Sequence, residues 1–169
     1  MRNIFGFFGS FIWAFASTAN AMVSNVIGQG KKNEVMRLTT KIMFLSCAAG
    51  LTVCLFLNLF PRAFLSIYGQ GREFMDVGIP VLRVVALAML FMSVGTIWLN
   101  AVTGTGNGKI TFMIELAAIS LYCIYVYVVL ELQKLSIVWG WMSEFLYWST
   151  LFSLSFIYMK SKRWQSTVM

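Results

Sequence analysis

Long apolar stretches separated by short polar gaps are the dominant pattern of this chain. Five of them, at about 4–27, 42–60, 77–102, 110–130 and 137–159, are long enough to cross roughly 30 Å of hydrocarbon as helices rising about 1.5 Å per residue. They are called A to E here. None shows the alternation of apolar and polar residues that a strand needs, and a spanning sheet would have to close into a barrel. The pattern predicts an all-α polytopic bundle of about five transmembrane helices, folded as a single membrane domain over 1–169.

Composition agrees with a bilayer as the solvent. Of the 169 residues, 59% are hydrophobic and only 11% charged, too little polar surface to cover a water-soluble core. The formal charge of +7 would fit a nucleic-acid binder if the bases lined one soluble face, but they sit in the gaps between apolar stretches. No nucleic-acid partner is expected. Cys47, Cys54 and Cys123 all fall inside apolar stretches without a CxxC pair, and there is no histidine. They read as small hydrophobes, and neither a metal nor a cofactor is expected.

Arg2, the apolar stretch after it and Ala14-Phe15-Ala16 imitate a cleavable signal peptide. Against this, Lys31, Lys32, Arg37 and Lys41 follow directly, and a strongly basic flank holds that end of a helix in the cytoplasm. The A–B gap, the C–D gap and the tail also carry Lys109, Lys160, Lys162 and Arg163. The opposite side has Arg2, Arg62, Arg72 and Lys134, partly offset by Glu73, Asp76 and Glu131. The positive-inside bias therefore puts the N-terminus outside and the C-terminus in the cytoplasm. A first helix that starts outside is the arrangement expected of a piece of a longer protein.

Three ionisable residues lie within the spans, where charge is expensive and marks a partner, a wet cavity or a transport route. Arg83 and Glu144 each sit about two turns, roughly 10 Å, from the outer ends of helices C and E. They can bridge the two helices, or Arg83 can snorkel toward Asp76. Glu144 shares one side of helix E with Trp141, Tyr147 and Trp148, an arrangement able to hold an organic cation by charge and cation–π attraction. An interfacial aromatic belt explains Trp139 and Trp141 equally well, and the deeper Trp148 less well. Glu115, about one and a half turns inside helix D, is either a coupling acid or a partner of Lys109, Lys41 or a helix end.

Gly104, Gly106 and Gly108 spell a fragment of a phosphate-binding loop, but they follow an apolar helix and not a strand, so they read as a glycine-rich helix stop. Gly28 and Gly30 end helix A by the same logic. Gly6, Ser10, Ala14 and Thr18 form a stripe of small residues that lets another helix approach closely.

Several stretches resemble the C-terminal part of a multidrug and toxic compound extrusion (MATE) transporter. VSNVIGQGKKNEVMRLTTKI at 23–42 is similar to that family's glycine-rich cytoplasmic turn and basic connector. FPRAFLSIYGQGREF at 60–74 is similar to an extracellular connector, and LNAVTGTGNGKITFMIEL at 99–116 to the turn between the tenth and eleventh helices. WGWMSEFLYW and SKRW resemble the last helix and tail. The resemblance implies that A to E correspond to helices eight to twelve of twelve, a partial second lobe, in a bacterial inner membrane. It implies a secondary antiporter that exports small organic compounds against sodium or protons, incomplete without the first lobe or another helix bundle. The family's coupling acids do not transfer: near the tenth-helix equivalent the only acid is Asp76, and mid-helix C offers Ser93, Thr96 and Asn100. The candidate substrate or coupling residues are therefore Arg83, Glu115, Glu144, Trp148 and Asn100. The alternatives are a small membrane interaction protein without transport activity, and a fragment of a lipid-linked oligosaccharide flippase, whose cavity would carry more basic residues than Arg83 alone.

Overall fold

In the computed structural model, which describes residues 2–68 and 71–166, the chain is a bundle of helices. The long ones are α1 (Arg2–Gly28), α2 (Val35–Leu59), α4 (Arg72–Gly104) and α5 (Gly108–Val126). A short α3 (Pro61–Ser66) links α2 to α4, and α6 (Ile137–Trp141) and α7 (Ser143–Lys160) end the bundle.

Four helical stretches are long and apolar enough to cross a membrane, the last being α5 with its π-helical continuation at Tyr127–Leu132. The fifth expected span differs. The stretch 137–159 is broken at Met142 into α6 and α7, and α7 alone is 18 residues long. Gly140 lies at the break, where an added Cβ would come within 3.2 Å of the Leu130 side chain. That close approach lets α6 pack against the π-helical end of α5.

The bundle is organised around α4. Half of its apolar window is buried, against 17% for α5, and it packs on α1, α2 and α7 while α5 packs mainly on α7. Its buried residues include Leu82, Val85, Met89, Met92 and Val102. Pro80 lies inside α4 without ending it; in a bundle, neighbouring helices and local adjustment re-satisfy the backbone group a proline frees.

Two glycines end helices by adopting positive φ. Gly30 (φ 78) caps α1, with the Lys31 amide donating to the Val26 carbonyl at 3.0 Å and the Gly30 amide to that of Ile27 at 2.9 Å. This is the paired C-terminal motif in which a glycine takes the left-handed position. Gly106 (φ 80) turns the chain between α4 and α5, so the glycine triplet closes a helix, as expected from the apolar sequence before it.

The outward surface is apolar: Leu59 is 70% exposed, Phe44 66% and Phe112 63%. Large hydrophobes in such positions fit lipid contact. The small-residue stripe of α1 does not carry the internal packing. Ser10, Ala14 and Thr18 are exposed, and α1 buries Ile12, Ala16, Ala19 and Val23 instead.

Candidate functional site

Trp148 is positioned by backbone contact. α7 crosses α4 so closely that a Cβ on Gly95 would lie 2.7 Å from the Trp148 carbonyl oxygen. The absence of a side chain at Gly95 thus sets the depth at which Trp148 sits, and its ring is buried. From there its Nε1–H donates to Glu144 Oε2 at 2.9 Å, one turn earlier on α7. The indole fixes the rotamer of a half-buried carboxylate, which is short of partners in an apolar bundle.

Tyr147 stands beside this pair. Its ring meets Trp148 edge-on at 4.7 Å and Tyr122 of α5 at 6.1 Å. Glu144 precedes Tyr147 by three residues on α7, and Glu115 lies on α5, the helix that also carries Tyr122. Glu144 also lines a cavity of about 380 Å³ with Tyr122, Val126, Ser143 and Trp141. Phe5 of α1 closes the cavity against Trp141, with centroids 6.4 Å apart. On the other side of Trp148 a second, more apolar cavity of about 360 Å³ is lined by Cys47, Leu90, Phe91 and Phe152. Trp148 lines this second cavity and touches the first only through its hydrogen bond to Glu144.

The five candidate residues do not form one site. Glu144 and Trp148 are hydrogen-bonded, and Glu115 lies on α5, the helix packed against α7. Arg83 is exposed on the outward face of α4, in line with Pro80, Leu87 and Phe91. No ion pair joins it to Glu144, nor is one formed with Asp76, and Glu144 has the Trp148 indole in the place expected for the guanidinium. Glu115 pairs with neither Lys109 nor Lys41. Asn100 donates from Nδ2 back to the Thr96 carbonyl at 2.9 Å and lies apart from the cluster. Ser93 and Thr96 likewise turn their hydroxyls to carbonyls of their own helix, Leu90 and Met92.

Tyr122 was not singled out by the sequence, although its position two turns after Glu115 puts both on one face of α5. Trp98 was also missed. It sits in an α4–α7 aromatic cluster 4.9 Å from Phe156, and its Nε1–H points at Met43 Sδ, 3.2 Å away.

Helices of membrane-crossing length, apolar outside and closely packed within, define a multi-pass α-helical membrane protein. The MatE family model matches residues 1–128. The chain belongs to that family of multidrug and toxic compound efflux transporters, whose members are transporters and not enzymes. No curated protein and no solved structure matches the chain. The matched stretch includes Glu115 and Tyr122 but ends before α6 and α7, so Glu144 and Trp148 lie beyond it.

Proposed function

We propose that the chain is part of a secondary active antiporter that exports organic, often cationic, compounds in exchange for sodium ions or protons. The carrying observation is Glu144, a half-buried carboxylate held by Trp148 at the wall of a cavity that also presents Trp141 and Tyr122. An organic cation there gains charge attraction from the carboxylate and cation–π attraction, worth about 0.5–2 kcal/mol per favourable ring, from the aromatics. Arg83 faces away from the cavity and so does not oppose a cation. This favours an organic cation over the anionic cargo of a lipid-linked oligosaccharide flippase.

Alternating access needs two helix groups rocking about a central site. We read this chain as part of one such group, the counterpart of helices eight to twelve, working against another bundle. The small-residue face of α1 is exposed and sterically open to a helix from that bundle. The basic gaps favour a reading with the N-terminus outside and the C-terminus in the cytoplasm, in a bacterial inner membrane.

The test is reconstitution of the purified chain in lipid vesicles with a fluorescent organic cation. Saturable binding is expected, weakened at least tenfold by Glu144→Gln and without gradient-driven accumulation by the chain alone. Absence of saturable binding overturns the site and favours a membrane interaction protein. Accumulation driven by a sodium or proton gradient overturns the requirement for a second bundle.

A further inference from the structure

A line of exposed residues runs along the outward face of α4: Asp76, Pro80, Arg83, Leu87 and Phe91, at helical spacing. It leads into the second cavity, of about 360 Å³, that Trp148 lines. Leu90, Phe91 and Val94 of α4 form the floor, Cys47 of α2 one wall, and Trp148 and Phe152 of α7 the other. Phe91 is 44% exposed, so the cavity is a groove open to the outside of the bundle, where the surrounding medium is lipid.

Arg83 stands at the head of this line without a partner. It forms no ion pair among the described residues, although an unpaired charge on a lipid-facing helix is costly. Asp76 lies two turns further up α4 and is exposed, and Glu144 accepts from the Trp148 indole. No carboxylate lines the groove among the described residues. The turn after Gly104 leads to the exposed Lys109, which marks one face of the membrane. From Gly104 back to Arg83 is roughly 32 Å along the axis, about the thickness of the hydrocarbon. A long side chain at that depth reaches the headgroups of the opposite face by snorkelling.

We infer that the groove between α2 and α7 is a seat for one phospholipid, its phosphate held by Arg83 and one acyl chain running past Leu87 to lie beside Phe91, Phe152 and Trp148. A guanidinium matches a phosphate with two parallel hydrogen bonds. From Arg83 to Phe91 is roughly 12 Å along the axis, within the roughly 15 Å depth of one leaflet's hydrocarbon. The charged end and the apolar groove are thus spaced as the two parts of such a lipid. A diacylglycerol with the same chains fills the groove but offers Arg83 no anion, and one basic residue near the surface is expected to favour the phosphate-bearing lipid about fivefold. The inference does not depend on cation binding at Glu144, which lines the other cavity.

The purified full chain in detergent, with Cys54 and Cys123 replaced by alanine, can be titrated with phosphatidylglycerol or with diacylglycerol of the same acyl chains, and retained lipid counted by native mass spectrometry. Phosphatidylglycerol should be retained about fivefold more tightly. The preference should vanish in Arg83→Gln and largely survive in Arg83→Lys. Bound phosphatidylglycerol should also slow the labelling of Cys47 by N-ethylmaleimide at least fivefold, because the acyl chain covers the thiol. Val94→Phe, which narrows the groove without changing charge, should lower retention of both lipids while helix content by circular dichroism is unchanged. Equal retention of the two lipids overturns the inference, as does an unchanged preference in Arg83→Gln. Labelling of Cys47 at the same rate with and without bound phosphatidylglycerol overturns it as well, since no chain then enters the groove. Displacement of phosphatidylglycerol by millimolar inorganic phosphate has the same force, because Arg83 would then be a site for the free ion.

Discussion

Gly95 and Trp148 meet backbone to backbone: the space a Cβ would occupy on the glycine ends 2.7 Å from the tryptophan's carbonyl oxygen. The contact joins the central helix to the helix bearing the candidate site, and the neighbour is main chain, which cannot rotate away.

Gly95→Ala should therefore push α7 outward and cost about 1–3 kcal/mol, the range for forcing extra atoms into a packed interior. Gly104→Ala meets the Asn20 carbonyl oxygen at 2.8 Å on the α1 side and should cost a similar amount. The two positions are about 13 Å apart along α4 and touch different helices, so their effects should add to within about 0.5 kcal/mol. Denaturant unfolding in detergent, followed by tryptophan fluorescence, measures both. Only Gly95→Ala should also alter the emission of the folded state, because it moves Trp148.

How much of this was legible beforehand follows from the solvent. In water, a buried helix face is marked by apolar residues against a polar opposite face. In lipid both faces are apolar, so the sequence shows where helices run but not which way a residue faces. The glycine stops at Gly30 and Gly106 were readable because they depend on local chemistry. The direction of Arg83 was not readable: it lies on the outward face of α4 while Glu144 lies at the α5–α7 contact. The break at Met142 gave no polar signal, since Trp139, Trp141 and Met142 are as apolar as the helix around them; only Gly140 hinted at it.

The Trp148–Glu144 hydrogen bond separates structure from binding. In Glu144→Gln the side-chain carbonyl can still accept from Nε1, so unfolding stability should change by under about 1 kcal/mol while binding of an organic cation weakens at least tenfold. In Trp148→Phe the donor disappears and a half-buried carboxylate loses its partner, which should cost about 1.5–3 kcal/mol, the range for hydrogen bonds to charged groups. Equal stability losses in the two variants would mean that the hydrogen bond stabilises α7 only while its acceptor is charged.

Trp164 should be the most sensitive position in the C-terminal turn. Trp164→Ala removes a ring that is 2% exposed, together with its bond to the Met159 carbonyl, and should cost about 3–5 kcal/mol. Trp164→Phe keeps most of the packing and should lose only the hydrogen bond, about 1 kcal/mol. If the alanine variant unfolds at the same denaturant concentration as the parent, the turn contributes nothing to the bundle.

Orientation can be tested without knowing the substrate. With Cys47, Cys54 and Cys123 replaced by serine or alanine, a single cysteine is introduced at Lys31 or at Gln133, both exposed and at opposite ends of the bundle. The basic cluster around Lys31 should hold that end in the cytoplasm, because translocating clustered cationic residues is disfavoured. A membrane-impermeant maleimide added to intact cells should therefore label Gln133→Cys at once and Lys31→Cys only after the membrane is opened. The reverse pattern would mean that the first helix enters from the cytoplasm, and the alignment of these helices with the eighth to twelfth of a twelve-helix transporter would fail with it. Labelling of both positions in intact cells would show two populations. In that case the charge bias carried by Lys31, Lys32, Arg37 and Lys41 is too weak to orient the chain by itself, and contact with a second helix bundle must supply the rest.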